Sequence, residues 1–187
     1  TTITAIANDG GLEAVASVTV LPTKVTGVTI DPTSIQIYLG STGSLKANIS
    51  PTNATDTTVT WTSSNETIAT IDQSGVVTAI AVGEVTITAV TTDGAFEAVA
   101  SATVLPISVT GLTIEPSALK ILLGSTGSLT ANVVPENATN KAITWTSDDT
   151  SIATIDENGL VTGVSIGNVI ITGTSNDGSY NATSNIE

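Results

Sequence analysis

The run Thr60–Val77, TWTSSNETIATIDQSGVV, returns as Thr144–Val161, TWTSDDTSIATIDENGLV. No other feature of the chain narrows its fold as much. Trp61 and Trp145 stand 84 positions apart (145 − 61), and the same offset relates Gly40 to Gly124, Gly75 to Gly159 and Gly94 to Gly178. Laid over each other without a gap, Pro22–Ser101 and Pro106–Asn185 agree at about half their positions, well beyond what shared composition gives. The chain is therefore a tandem array whose copies share one fold. The offset also reaches backwards, since TITAIANDGGLEAVASVTVLP at Thr2–Pro22 matches TITAVTTDGAFEAVASATVLP at Thr86–Pro106. The expected organisation is residues 1–22 as the last two strands of a preceding, truncated repeat, followed by domains at 23–105 and 106–187. A lone hairpin is marginal in water. Residues 1–22 are thus expected to be ordered by packing on the next domain or a neighbouring chain, or to be the visible end of a longer molecule.

Within one repeat, Val25–Leu39 reads as a first strand broken at Asp31-Pro32, because proline cannot donate to a ladder. Gly40–Gly43 turns the chain. Leu45, Ala47 and Ile49 then alternate with Lys46, Asn48 and Ser50, the period of a strand with one buried face. Val59 and Trp61 share a face, with Thr60 and Thr62 on the other; Ile68–Ile71, Val76–Ile80, Val85–Ala89 and Phe96–Val104 follow. Asp72-Gln-Ser-Gly75 and Asp156-Glu-Asn-Gly159 fit a type I turn in which the carboxylate accepts backbone N–H groups and glycine takes the positive φ. Asp93-Gly94 and Asp177-Gly178 are short-hairpin signals. About seven short strands per copy, with a tryptophan on the third, predict an all-β fold of tandem immunoglobulin-like sandwiches rather than barrels. At each junction Val-Leu-Pro passes straight from one copy into the next, so a rod is expected, each domain adding roughly 35–45 Å.

Composition agrees and excludes several function classes. Thr, Ser, Val, Ile and Ala dominate, charged residues are 11% and aromatics 3%, a palette that disfavours helix. A net charge of −13 repels phosphate, so neither a nucleic acid nor an anionic membrane surface is an expected partner. No apolar run has the length of a membrane span. The chain has no Cys and no His, which removes disulfides, thiolate metal sites and the commonest nucleophile and base.

The motifs Val-x-Ile-x-Pro (Val28–Pro32), Leu-Gly-Ser-Thr (Leu39–Thr42), Pro-x-Asn-Ala-Thr (Pro51–Thr55), Thr-Trp-x-Ser (Thr60–Ser63), Ile-Ala-Thr-Ile-Asp (Ile68–Asp72) and Gly-x-Val-Thr (Gly75–Thr78) together resemble the bacterial immunoglobulin-like domain, group 2. The resemblance covers two full copies and the tail of a third. It implies a surface-exposed or secreted protein of the kind that includes adhesins, S-layer proteins, cell-wall enzymes with accessory modules and phage tail proteins. In these the domain serves as spacer or adhesion module. The family brings no universal catalytic or ligand-binding motif, so no site residues carry over.

Candidate sites are sparse. Trp61 and Trp145 could stack on a sugar, but alternation with Val59 and Ile143 puts them in the core. Asp148-Asp149 is the best acidic pair for calcium, yet the other copy has Ser64-Asn65 there. An isopeptide staple is not expected, because Lys24, Lys46, Lys120 and Lys141 each lack a lysine in the other copy. Asn48, Asn53, Asn65, Asn137 and Asn181 stand in Asn-x-Ser/Thr, with Asn53 expected to cap its own turn. No catalytic, cofactor-binding or metal residue is assigned, and no cofactor.

The expected function is therefore a non-enzymatic structural array or spacer of an extracellular, cell-surface or filament-forming protein that supports adhesion or display. The alternative is a binding module recognising a host protein or cell-wall polymer through loops or a sheet edge. Expected partners are neighbouring domains of the same longer chain, with self-assembly through sheet edges, chiefly those of residues 1–22, as a further possibility. If the chain binds selectively, Ser64–Thr67 against Asp148–Ser151 is where the copies differ most visibly.

Overall fold

The computed structural model describes residues 1–187, and every regular element in it is a strand. The first hairpin is β1 (Thr2–Ile6) and β2 (Glu13–Ser17). The first full copy holds β3 (Gly27–Asp31), β4 (Ser34–Tyr38), β5 (Thr42–Ser44), β6 (Lys46–Ser50), β7 (Val59–Ser63), β8 (Ala69–Ile71), β9 (Val76–Ala79), β10 (Gly83–Thr91) and β11 (Glu97–Leu105). The second holds β12 (Gly111–Glu115), β13 (Ala118–Leu119), β14 (Thr126–Ser128), β15 (Thr130–Val134), β16 (Ile143–Ser147), β17 (Ala153–Ile155), β18 (Leu160–Gly163), β19 (Val169–Ser175) and β20 (Asn181–Ile186). Two compact units result, Thr1–Gln36 with Thr42–Thr103, and Ile37–Ser41 with Val104–Glu187.

Each copy has the same two layers. In the first, one sheet runs β4-β11-β10-β7, and the other layer is made of β3-β6 and β5-β9-β8. The second repeats this as β13-β20-β19-β16 with β12-β15 and β14-β18-β17. Nine strand segments per copy replace the seven read from the sequence, for two physical reasons. The first strand breaks at Pro32, as its counterpart does at Pro116, and its halves join different sheets: Ile30 pairs with Ala47 in β6, whereas β4 lies on β11. In the second copy the later half is parallel to the last strand, Leu119 opposite Ile186. The next strand breaks at Leu45, which is buried and donates its N–H to Gly75 O at 2.8 Å, an arrangement that Leu129 and Gly159 repeat at 2.9 Å. The peptide bonds before Pro32, Pro51, Pro116 and Pro135 are cis.

The core lies between the layers and follows the period of two. Along β10, Val85, Ile87 and Ala89 are buried, and along β11 Ala100, Ala102 and Val104. Small residues on these central strands let the facing layer approach closely, and burying each Val or Ile side chain is worth about 1.5–3 kcal/mol. In the second copy the same role falls to Ile114, Leu129, Val161, Val169, Ile171 and Ile186.

The hairpin β1–β2 does not take the first of the expected arrangements, packing on the next domain. It is well formed, with Thr4 opposite Val15, but every residue from Thr1 to Pro22 is exposed, so it packs on no core. Ile3, Ala5, Ala16 and Val18 correspond at the 84-residue offset to Ile87, Ala89, Ala100 and Ala102, which are buried.

Candidate functional site

The repeated run around Trp61 is a piece of framework. Asp72 Oδ1 accepts the N–H groups of Ser74 at 2.8 Å and Val76 at 3.0 Å, and Gly75 has φ of 87°. Asp156 does the same for Asn158 and Leu160, both at 2.9 Å, with Gly159 at φ of 82°. These bonds hold both carboxyls below the usual aspartate range, the Ser74 hydroxyl leading for Asp72 and the Leu160 N–H for Asp156. Trp61 is buried as expected, and Trp145 half-buried against the second core. Ile68 and Ile71 are only half-buried; the fully buried residue of that motif is Ala69, because the short strand β8 turns its smallest side chain inward.

Two long-range ties were not visible in the sequence. Asp93 belongs to a longer loop than a two-residue hairpin, since the Thr91 N–H bonds Phe96 O across it. Its Oδ2 accepts the N–H of Val25 at 3.0 Å and its Oδ1 the ammonium of Lys24 at 3.1 Å. The Val25 N–H, then Lys24, hold this carboxyl below its usual range. Asp177 Oδ2 accepts the Val109 N–H at 2.9 Å in the second copy. The other tie corrects the reading of Pro-x-Asn-Ala-Thr: the bonded residue is the threonine, not Asn53. Thr55 Oγ1 accepts from Thr23 N and its own N–H returns to Thr23 O, both at 2.9 Å. Thr139 and Ile107 repeat the pair at 2.8 Å.

The variable loops have one conformation despite different residues. Asn65 Oδ1 accepts from the N–H and hydroxyl of Thr67 at 3.0 and 2.7 Å; Asp149 Oδ1 accepts the same groups of Ser151 at 2.9 and 2.6 Å. The Ser151 bonds, hydroxyl first, lower the Asp149 carboxyl. Asp148 and Asp149 border an open cleft with Asn168, Asn185 and Glu187, but no three acidic side chains come together in a metal-binding group. The lysines are exposed, Lys24 with Asp93, Lys120 with Glu187 at 2.7 Å, and Lys141 on Glu136 O at 2.9 Å.

The copies differ most in function-relevant ways at two surfaces. In the first copy the Gln73 amide clasps Trp61, Oε1 accepting the backbone N–H at 3.1 Å and Nε2 donating to the carbonyl at 3.2 Å. Glu157 stands in that place in the second copy. The difference between Gln73 and Glu157, in turns that share their flanking Asp and Gly, was the sequence signal for it. The second surface is apolar: Leu122, Leu123 and Ile166 line a cleft with Ile121, and are 81%, 64% and 93% exposed. Tyr38 and Val82, the counterparts of Leu122 and Ile166, are 58% and 47% exposed, and Leu39, the counterpart of Leu123, is half-buried.

Known proteins carry the same modules. The family model described as bacterial Ig-like domain (group 2) matches residues 24–102 and 108–186. An uncharacterized protein of Clostridium acetobutylicum is 44% identical over 70 residues, 37% of this chain and 7% of that protein. An Ig-like virion protein of Serratia phage KSP90 is 38% identical over 117 residues, 60% of this chain and 45% of that one. A 3-O-alpha-D-galactosyl-alpha-L-arabinofuranosidase of Bifidobacterium longum subsp. longum is 40% identical over 74 residues, 36% of this chain and 6% of the enzyme. This chain thus spans less than half the length of each of these relatives. With two matches that between them take in most of the sequence, on two all-β copies of one sandwich, the chain belongs to the bacterial Ig-like domain (group 2) family.

Proposed function

We propose that this chain is a non-enzymatic structural segment of an extracellular or cell-surface array, spacing or displaying other parts of a longer protein. The observation that carries the reading is the recurrent tying-down of each copy's first residues. Val25 and Val109 are held by Asp93 and Asp177, and Thr23 and Ile107 by Thr55 and Thr139. Only Pro106 separates the last residue of β11, Leu105, from the tied Ile107. Copies whose first residues are each fastened into their own sandwich, directly after a short proline junction, suit spacing better than ligand capture. The kinship with a phage virion protein is in keeping with assembly on an external surface. The match to 6% of a glycosidase is too small to bring its activity here. No helix is long and apolar enough to cross a membrane.

A second reading, an adhesion module for a host protein or cell-wall polymer, is favoured by the exposed Leu122, Leu123 and Ile166, since contiguous exposed apolar surface marks interaction sites. Retention of the immobilised chain's candidate ligands separates the two. A panel of cell-wall polymers and matrix proteins should pass without saturable binding. Saturable binding lost on Leu123→Ser or on exchanging Asp148–Ser151 for Ser64–Thr67 would establish the module instead.

A further inference from the structure

The first strand of each copy finishes alongside the last, and the two run in the same direction. In the second copy Leu119 of β13 lies opposite Ile186 of β20 in a parallel pair. Asn185 N–H donates to Ser117 O and Glu187 N–H to Leu119 O, both at 3.0 Å, and Ile121 N–H donates to Glu187 O at 2.9 Å. In the first copy β4 lies on β11, and the ladder reaches from Ser101 N–H on Thr33 O at 3.0 Å to Leu39 N–H on Leu105 O at 2.9 Å. Both partners advance together along it, so this pair is parallel as well. The break at Pro32 makes the arrangement: β3 stays with β6 in one layer, while β4 joins β11 in the other.

Parallel pairing of first and last strands decides what tension does to a copy. A pull on the start of β4 and on the end of β11 acts in opposite directions along the two strands, so every bond of the ladder is strained at once. Were the strands antiparallel, the same pull would act at one end of the ladder and part its bonds singly. The residues ahead of the ladder are fastened too, Thr23 by Thr55 and Val25 by Asp93, so tension does not peel β3 away from its first residue. Ile37 and Val104 are 5% and 1% exposed, which keeps water from the inner side of the first ladder. The second ladder is shorter, β13 having two residues against five in β4, but it contains a bond that the first lacks. The buried Ser184 hydroxyl of β20 donates to Pro116 O at 2.8 Å, just ahead of β13. Ala100 stands in that place in the first copy.

We propose that these parallel pairs, β4 with β11 and β13 with β20, are mechanical clamps that let each copy bear tension between its ends without unfolding. The clamps rest on the spacer reading only for the source of the tension. Their failure leaves the spacer standing, and capture of a ligand by the immobilised chain leaves the clamps standing.

Unfolding of the full chain held at constant tension between attachments at Thr1 and Glu187 tests the clamps, with extension followed in time. Two long steps are expected, one from each copy. Leu39→Pro removes the donor to Leu105 O and should speed one step about tenfold. Ser184→Ala removes the bond to Pro116 O and should speed the other about fivefold. Gln73→Glu loses a bond between Trp61 and the turn joining β8 to β9, outside either clamp. It should lower the urea midpoint of the first copy, yet leave both steps within about twofold of the parent, because forced unfolding reports the barrier to rupture and not the equilibrium. Acceleration by Gln73→Glu equal to that by Leu39→Pro overturns the proposal. So does a Ser184→Ala chain whose two steps keep the parent's rates. Should Leu39→Pro prevent the first copy from folding, Ser184→Ala, which installs the residue that the first copy already has, decides alone.

Discussion

The Asp93 carboxylate accepts the backbone N–H of Val25 at 3.0 Å from 68 positions away in the chain. Asp177 and Val109 stand in the same relation at 2.9 Å, across the same 68 positions. In each copy the loop joining the last two strands thereby fastens the buried valine at which the copy begins. Asp93→Ala leaves a partly buried N–H without an acceptor and should destabilise the first copy by about 1–3 kcal/mol, read from urea denaturation. Asp93→Asn keeps an acceptor oxygen and should lose less. An unchanged midpoint in Asp93→Ala would show that the tie contributes nothing.

Acid should weaken both copies. Asp72, Asp93, Asp149 and Asp156 have carboxyls held below the usual range by hydrogen bonds that the unfolded chain does not make. Between the unfolded and folded pKa values the unfolded state binds more protons, so stability rises with pH there. The melting temperature should be level near neutrality and fall as the pH drops below about 4, where unfolded aspartate begins to protonate. Asp72→Asn combined with Asp156→Asn should flatten that fall.

Gly75 and Gly159 are irreplaceable in place. Each has a positive φ, and a Cβ there would run into the backbone carbonyl oxygen of Leu45 or Leu129, residues whose own N–H groups donate to the Gly75 and Gly159 carbonyls and so hold them close. Gly75→Ala should cost more than about 2 kcal/mol, from backbone strain and the displaced carbonyl together. Gly40→Ala has positive φ but open space around it, and should cost about 1 kcal/mol. Equal losses at the two positions in thermal melts would remove the role of the carbonyl contact.

Removing the tryptophans should separate the copies. Trp61→Ala empties a buried site and should cost about 3–5 kcal/mol, whereas half-buried Trp145 should cost less. Gln73→Glu adds a smaller effect of its own, about 1 kcal/mol, by removing the donor to Trp61 O. Two-step denaturation curves of the single variants check both comparisons.

What could be read from residues alone were features whose causes are local. The period of two in Leu45–Ile49, the break at Pro32 and the Asp72-to-Gly75 turn each depend on neighbours within a few positions, and the 84-residue return multiplies them. The same locality explains the misreadings. Asn53 was expected to cap its turn because asparagine does so on its own backbone, yet Thr55 is chosen by Thr23, which the fold brings alongside. Seven strands became nine because nothing within Val25–Leu39 says that its two halves will join different layers, and nothing near Leu45 says that its N–H will turn to Gly75 O.

The sequence by itself determined that this chain is a tandem of all-β modules sharing one fold, for a repeat with alternating apolar residues can bury its side chains in few other ways. Only the tertiary structure decided which backbone groups remain free. Trp61 and Trp145 sit in nearly the same run of residues, but whether their outward N–H and C=O are closed depends on an amide or a carboxylate twelve positions further on, folded back beside them. That is a matter of three-dimensional proximity, because a hydrogen bond forms only where donor and acceptor are brought within reach, and no local pattern records it.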